Sequence, residues 1–192
     1  MLSRSLPTFG LLILVGCGAV EETPHAPDAG EEPPAFFIAT QSDFANYKSW
    51  PKFIVAGEGV DAGSSGSSEH GAGVHIAYVN HRPSHGSEQF PTGTIIVKET
   101  LDANGAASSR IHAMVKRNGG FNEYGAHGWE WFELTPSTQG VPVVRWRGPN
   151  PPGDSSYDDE LDDNPTGDCN TCHAVAVAND HVRSGPLKLT GF

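Results

Sequence analysis

Short runs in which apolar and polar residues alternate, set off by glycine and proline, dominate the chain from residue 74 to 146. Val74-His75-Ile76-Ala77-Tyr78-Val79 is β-branched and aromatic, and GTIIVKE (93–99) follows the turn Phe90-Pro91-Thr92-Gly93. RIHAMVKR (110–117) alternates and is entered through Asp102-Ala103-Asn104-Gly105, a hairpin-type turn. WEWFEL (129–134) and the run 141–146 complete the series. Regular spacing of these runs with Gly and Pro punctuation predicts an antiparallel sheet, not a helical bundle. Two short helical signals flank it. Ser42 and Asp43 open a short helix over 42–47, stopped by Trp50-Pro51. Asp168 can cap a final helix over 169–183, which Ser184-Gly185-Pro186 ends. The expected fold class is α+β: mainly antiparallel β-sheet with flanking helices and a C-terminal helix.

Three stretches lack any such pattern. Residues 57–73 contain GSSGSS, and 148–167 crowd Asp154, Asp158, Asp159, Glu160, Asp162 and Asp163 together. The acidic stretch lacks the ligand order of an EF-hand and reads as a solvated loop. Residues 18–35 include EETPHAPDAGEEPPA, which has too little apolar surface to order itself and reads as a linker. Its Glu21, Glu22, Asp28, Glu31 and Glu32 supply five of the formal −11 charges. Overall acidity without Lys/Arg clusters argues against nucleic acid and anionic lipid surfaces as partners. Residues 36–192 have the size of one domain.

The first 17 residues read as an export signal. Arg4 precedes an apolar core, Leu11-Leu12-Ile13-Leu14-Val15, too short to span a bilayer. Leu14-Val15-Gly16-Cys17 looks like a bacterial lipobox, which implies cleavage before Cys17 and lipid attachment to it. An ordinary signal cut after Gly18 or Ala19 is the alternative. Both place the chain outside the cytoplasmic membrane; the first makes it a lipoprotein on the periplasmic face of a membrane or on the outer membrane.

The densest chemistry lies at Cys169-Asn170-Thr171-Cys172-His173, a CxxCH motif. Two thiols at this spacing fit the two vinyl groups of one porphyrin, and the adjacent histidine becomes the proximal iron ligand. The motif therefore predicts one covalently attached haem c held by Cys169, Cys172 and His173. A redox dithiol would sit early in a βαβ unit, and zinc would want a second ligand pair where only His181 is near. Met114, the one methionine of the mature chain, lies upstream in a strand and reads as a core residue. Without a strong second ligand the iron suits small-molecule chemistry better than plain electron transfer. His75, His81, His85, His112, His127 and His181 read as surface or hydrogen-bonding residues, although His112 and Met114 share a strand face.

A C-terminal CxxCH behind a β-sheet resembles the cytochrome P-460 family and its relatives, the cytochromes c′-beta. The resemblance covers about 44–183 and rests on Phe90-Pro-x-Gly93-Thr with Val97-Lys98-Glu99, then Met114-Val115-Lys116, Gly128-Trp129-Glu130-Trp131 and CxxCH. It implies a small homodimeric β-sheet haem protein that oxidises hydroxylamine or, in the c′-beta branch, binds nitric oxide and similar gases. It also implies a lysine bonded to the porphyrin edge, for which Lys98 is the candidate and Lys116 the second. A carboxylate near the distal face is implied as well, with Glu130 favoured as general base and Glu133 next. The odd spacing of these glutamates puts them on opposite faces of one strand, so at most one reaches the haem. The expected function is oxidation of hydroxylamine or a similar small nitrogen compound, with electrons passed to a soluble redox partner. A gas-binding protein without turnover and a plain electron-transfer cytochrome, six-coordinate through Met114 or a histidine, are the alternatives.

Overall fold

The computed structural model describes residues 35–55, 74–102, 104–150 and 169–192. The export signal with Cys17, the linker up to residue 34, the GSSGSS stretch, most of the acidic stretch and Asp168 lie outside them. Six strands run in chain order across one antiparallel sheet: β1 Lys52–Val55, β2 Val74–Val79, β3 Ile95–Leu101, β4 Ala107–Lys116, β5 Trp129–Thr135 and β6 Val143–Gly148. β2 to β6 are the runs the alternation predicts. β1 is additional: KFIV is only four residues long, and its burial alternates weakly at the sheet edge.

Register sorts the strand residues onto two faces. Phe53, Ala77, Lys98, His112, Glu133 and Trp146 stand directly opposite one another across all six strands. The neighbouring rung, Val79, Ile96, Met114, Trp131 and Gly148, shares that face. On the other face Tyr78, Val97, Ala113, Phe132 and Arg147 form a rung, with Glu99, Ile111 and Leu134 beside it.

Each face is covered by one end of the described chain. The second face carries Ala39, Phe44 and Tyr47, with Phe44 against Phe132 at 5.1 Å between ring centroids. The predicted helix over 42–47 is realised as two 3-10 turns, Gln41–Phe44 and Tyr47–Ser49, because Asn46 sits between them with left-handed backbone (φ 57°). Under this cover Glu99 is buried and accepts from the Tyr47 and Tyr78 hydroxyls at 2.5 and 3.1 Å while pairing with Lys48 at 2.9 Å. Burial and the neighbouring carboxylate push both phenols above their ordinary range, so they stay donors.

The first face is packed by the C-terminal segment. Val182, Leu187 and Leu189 join Phe90, Ile96, Met114, Trp129 and Trp131 in one buried cluster. The helix expected over 169–183 is shorter: α1 covers only Cys169–Ala174, followed by 3-10 turns at Val177–Asn179, Gly185–Leu187 and Leu189–Gly191. After Ala174 the backbone tightens into 3-10 turns, the Ala176 amide donating to the His173 carbonyl at 3.0 Å, and the left-handed residues Asp180 and His181, at φ 50° and 64°, keep helix from reaching residue 183. The fold is thus a six-stranded antiparallel sheet with few and short helices.

Candidate functional site

α1 brings Cys169, Cys172 and His173 to the first face of the sheet. Cys169 and Cys172 are both thiols, three positions apart on one helical turn, and Cys169 packs against the buried cluster. His173 lies against Trp131, ring centroids 4.6 Å apart. Its Nδ1 is 2.7 Å from the backbone oxygen of His181. A carbonyl can only accept, so Nδ1 carries the proton and Nε2 keeps its lone pair, the tautomer an iron ligand needs. Burial pushes the imidazole down to about 4, against the opposing pull of that carbonyl, and the charges of Lys98, Arg183 and His181 add to the fall. The ring is therefore neutral at physiological pH and available to a metal.

The helix is held by a residue that the motif treats as a spacer. Asn170 Oδ1 accepts from Asn122 Nδ2 at 2.8 Å, Trp131 Nε1 at 3.0 Å and the Ala126 amide at 3.1 Å. Its Nδ2 donates to the Pro149 carbonyl and to Asn122 Oδ1 at 3.1 and 3.2 Å. Gly125 lets the loop come this close, since a Cβ there would collide with the Asn170 amide. Arg183 Nη1 approaches Cys172 Sγ at 2.7 Å.

Lys98 shares the face of His173 and lies within electrostatic reach of it. On the same rung stand His112 and buried Glu133. His75 and Thr100, also buried, join through a 3.0 Å contact between Nδ1 and Oγ1. The first face is thus apolar where the C-terminal segment packs and polar along Lys98, His112 and Glu133.

The other two expected residues are elsewhere. Glu130 sits on the opposite face, 2% exposed, and is bound by Arg147 through Nε and Nη2 at 2.8 Å each and by Arg117 Nη1 at 3.1 Å. Its register partner Val115 packs into the other core cluster, which puts Glu130, the acid favoured from sequence, on the face away from α1. Lys116 is 1% exposed and donates to Asp180 Oδ1 at 2.6 Å and to the His127 carbonyl at 3.2 Å. Met114 is buried in the cluster beneath Trp131, a core side chain as read. Asn170, Asp180 and Arg147 were not legible as functional: each acts on a partner distant in sequence.

The residues present fit a covalently held haem: two thiols on one turn, and beside them a neutral imidazole with its second nitrogen committed. Among the described residues no three His, Cys, Asp or Glu side chains gather into a separate metal site. The family model for Cytochrome P460 matches residues 44–184, most of the chain. No curated protein matches it.

Proposed function

Given that the chain belongs to the cytochrome P460 family and is a haem protein of that kind, we propose that it is an exported mono-haem c protein that oxidises hydroxylamine or a similar small nitrogen compound. The observation that carries this reading is the shared sheet face, where Lys98, His112 and Glu133 stand in one rung on the side that receives α1 and His173. Cys169 and Cys172 would hold the haem through thioethers and His173 would ligate its iron. When bound, that group supplies a binding position for a small nitrogen ligand and an acceptor for its electrons.

The chain's own work is then orientation and proton handling. Glu133 is the carboxylate assigned to accept the protons hydroxylamine loses, because it is buried on the correct face. Lys98 is the candidate for attachment to the porphyrin edge. The polar rung orients the substrate, while Ile96, Met114 and Trp131 keep water from the adjoining half of the face. Electrons leave to a soluble partner, and an acidic chain favours a basic one.

The test is turnover of hydroxylamine by the haem-loaded protein. Glu133→Gln is expected to slow it by about 100-fold or more, the usual loss when a general base is removed, with the optical spectrum nearly unchanged. Full activity in Glu133→Gln would remove the role assigned to this residue. A second reading, gas binding without turnover, draws support from the core packing of Met114, which takes a strong sixth ligand away from the iron. Nitric oxide binding by a protein that leaves hydroxylamine intact would favour it.

A further inference from the structure

Behind the proximal histidine the backbone does something unfavourable twice in succession. Asp180 and His181 are adjacent non-glycine residues with left-handed backbone, and such conformations persist only where the surroundings over-determine them. Asp180 is held at every polar atom. Its Oδ1 accepts from Lys116 Nζ at 2.6 Å, its Oδ2 from the Phe90 amide at 2.9 Å and its carbonyl from Trp129 Nε1 at 2.7 Å, while its amide donates to Val177 O at 3.1 Å. Lys116 in turn lies 5.1 Å over the Trp129 ring. Through Asp180, the end of β4, the Phe90 turn and the start of β5 all fix one peptide unit. The next carbonyl, that of His181, takes the Nδ1 proton of His173.

Stability alone does not explain such a pair. A buried lysine–carboxylate pair is often replaceable by apolar residues at little or no loss of stability, so its distinctive contribution is geometric specificity. A hydrogen bond to the outer nitrogen of a ligating imidazole fixes the ring and raises its basicity. Resting on the reading of His173 as the iron ligand, we propose that Asp180, anchored by Lys116, is the positioning residue of the proximal histidine: it sets the turn that aims the His181 carbonyl at Nδ1 and thereby tunes the axial bond.

The experiment uses the haem-loaded protein and reads the ligand, not turnover. Asp180→Asn alone leaves Lys116 buried without its counter-charge and risks unfolding. The informative variant is therefore Asp180→Asn combined with Lys116→Met, which removes both charges at similar volume and keeps a residue tolerant of left-handed backbone. Thioether-bound haem is expected to be retained. The iron–histidine stretching band of the ferrous protein should shift to lower frequency, and the reduction potential should rise, because a loosened carbonyl makes the imidazole a weaker donor. An unchanged band together with an unchanged potential in the folded double variant would overturn the proposal. Failure of the underlying reading looks different: the iron–histidine band seen in the wild type would then persist in His173→Ala.

Discussion

Glu130 and Glu133 lie three positions apart on β5 and occupy different chemical settings. Glu130 is gripped by two arginines on the face away from α1; Glu133 is buried on the face that receives it. Their variants are expected to differ. Glu130→Gln keeps the shape but discards the charge that Arg117 and Arg147 oppose, so it is expected to lower stability by about 1–3 kcal/mol, the range for losing hydrogen bonds to a charged group. Both arginines are partly solvent-exposed, which keeps the loss well below that of a fully buried pair. Chemical denaturation would show the shift in midpoint, while hydroxylamine turnover of the folded fraction stays at the wild-type level. A folded Glu130→Gln protein with turnover lost would contradict the assignment. The odd spacing shows that the two acids face opposite ways, but only the strand register shows which one shares the sheet face against which His173 packs.

At the scale of elements, α1 is a helix of six residues whose densest hydrogen bonding runs through Asn170. Such a helix is too short to be stable alone, so its place rests on Asn170 together with the packing of Cys169 and His173. Asn170→Ala leaves the Trp131 indole N–H and the Ala126 amide without their acceptor, a loss of about 2 kcal/mol for buried polar groups. Lower thermal stability of the apoprotein and a smaller fraction of chains with covalently attached haem are expected, both measured on the same preparation. Wild-type values for both would show that the clamp is idle. The sheet was readable from sequence because β-branched and aromatic runs are set off by regular Gly and Pro turns, even though both faces are covered and β5 is buried along most of its length. β1 was not, since four residues at an edge carry too little alternation. That helix does not reach residue 183 was hidden for a different reason: the left-handed turn at Asp180 is fixed by Lys116, 64 positions earlier, and no local pattern reports that contact. Cys169, Cys172 and His173 stand out in sequence because CxxCH is a local pattern, whereas Asn170 looks like a spacer until Asn122 and Trp131 are placed around it.

For the whole molecule, the sheet has two differently covered faces, one closed by the segment 35–50 and one by 169–192. The export signal expected over the first 17 residues would add a membrane tether. Lipidation at Cys17 would retain the protein in the membrane fraction through high-salt washing, since several acyl chains anchor stably where one binds marginally. Cys17→Ser should release it or leave it unprocessed, as fractionation and mass spectrometry of the N-terminus would show. A soluble, unlipidated wild type beginning at Ala19 or later would refute the anchor without touching the haem site.

The central claim is that the face shared by Lys98, Glu133 and His173 makes this family member a haem enzyme of the hydroxylamine-oxidising kind. The optical spectrum of the ferrous protein, recorded before and after Lys98→Ala, tests it most directly. A lysine bonded to the ring alters its electronics, so the wild-type Soret band should be strongly red-shifted from that of an ordinary haem c. Lys98→Ala should restore the ordinary position while the haem stays bound through Cys169 and Cys172. An ordinary ferrous spectrum in the wild type, with hydroxylamine untouched, would contradict the account.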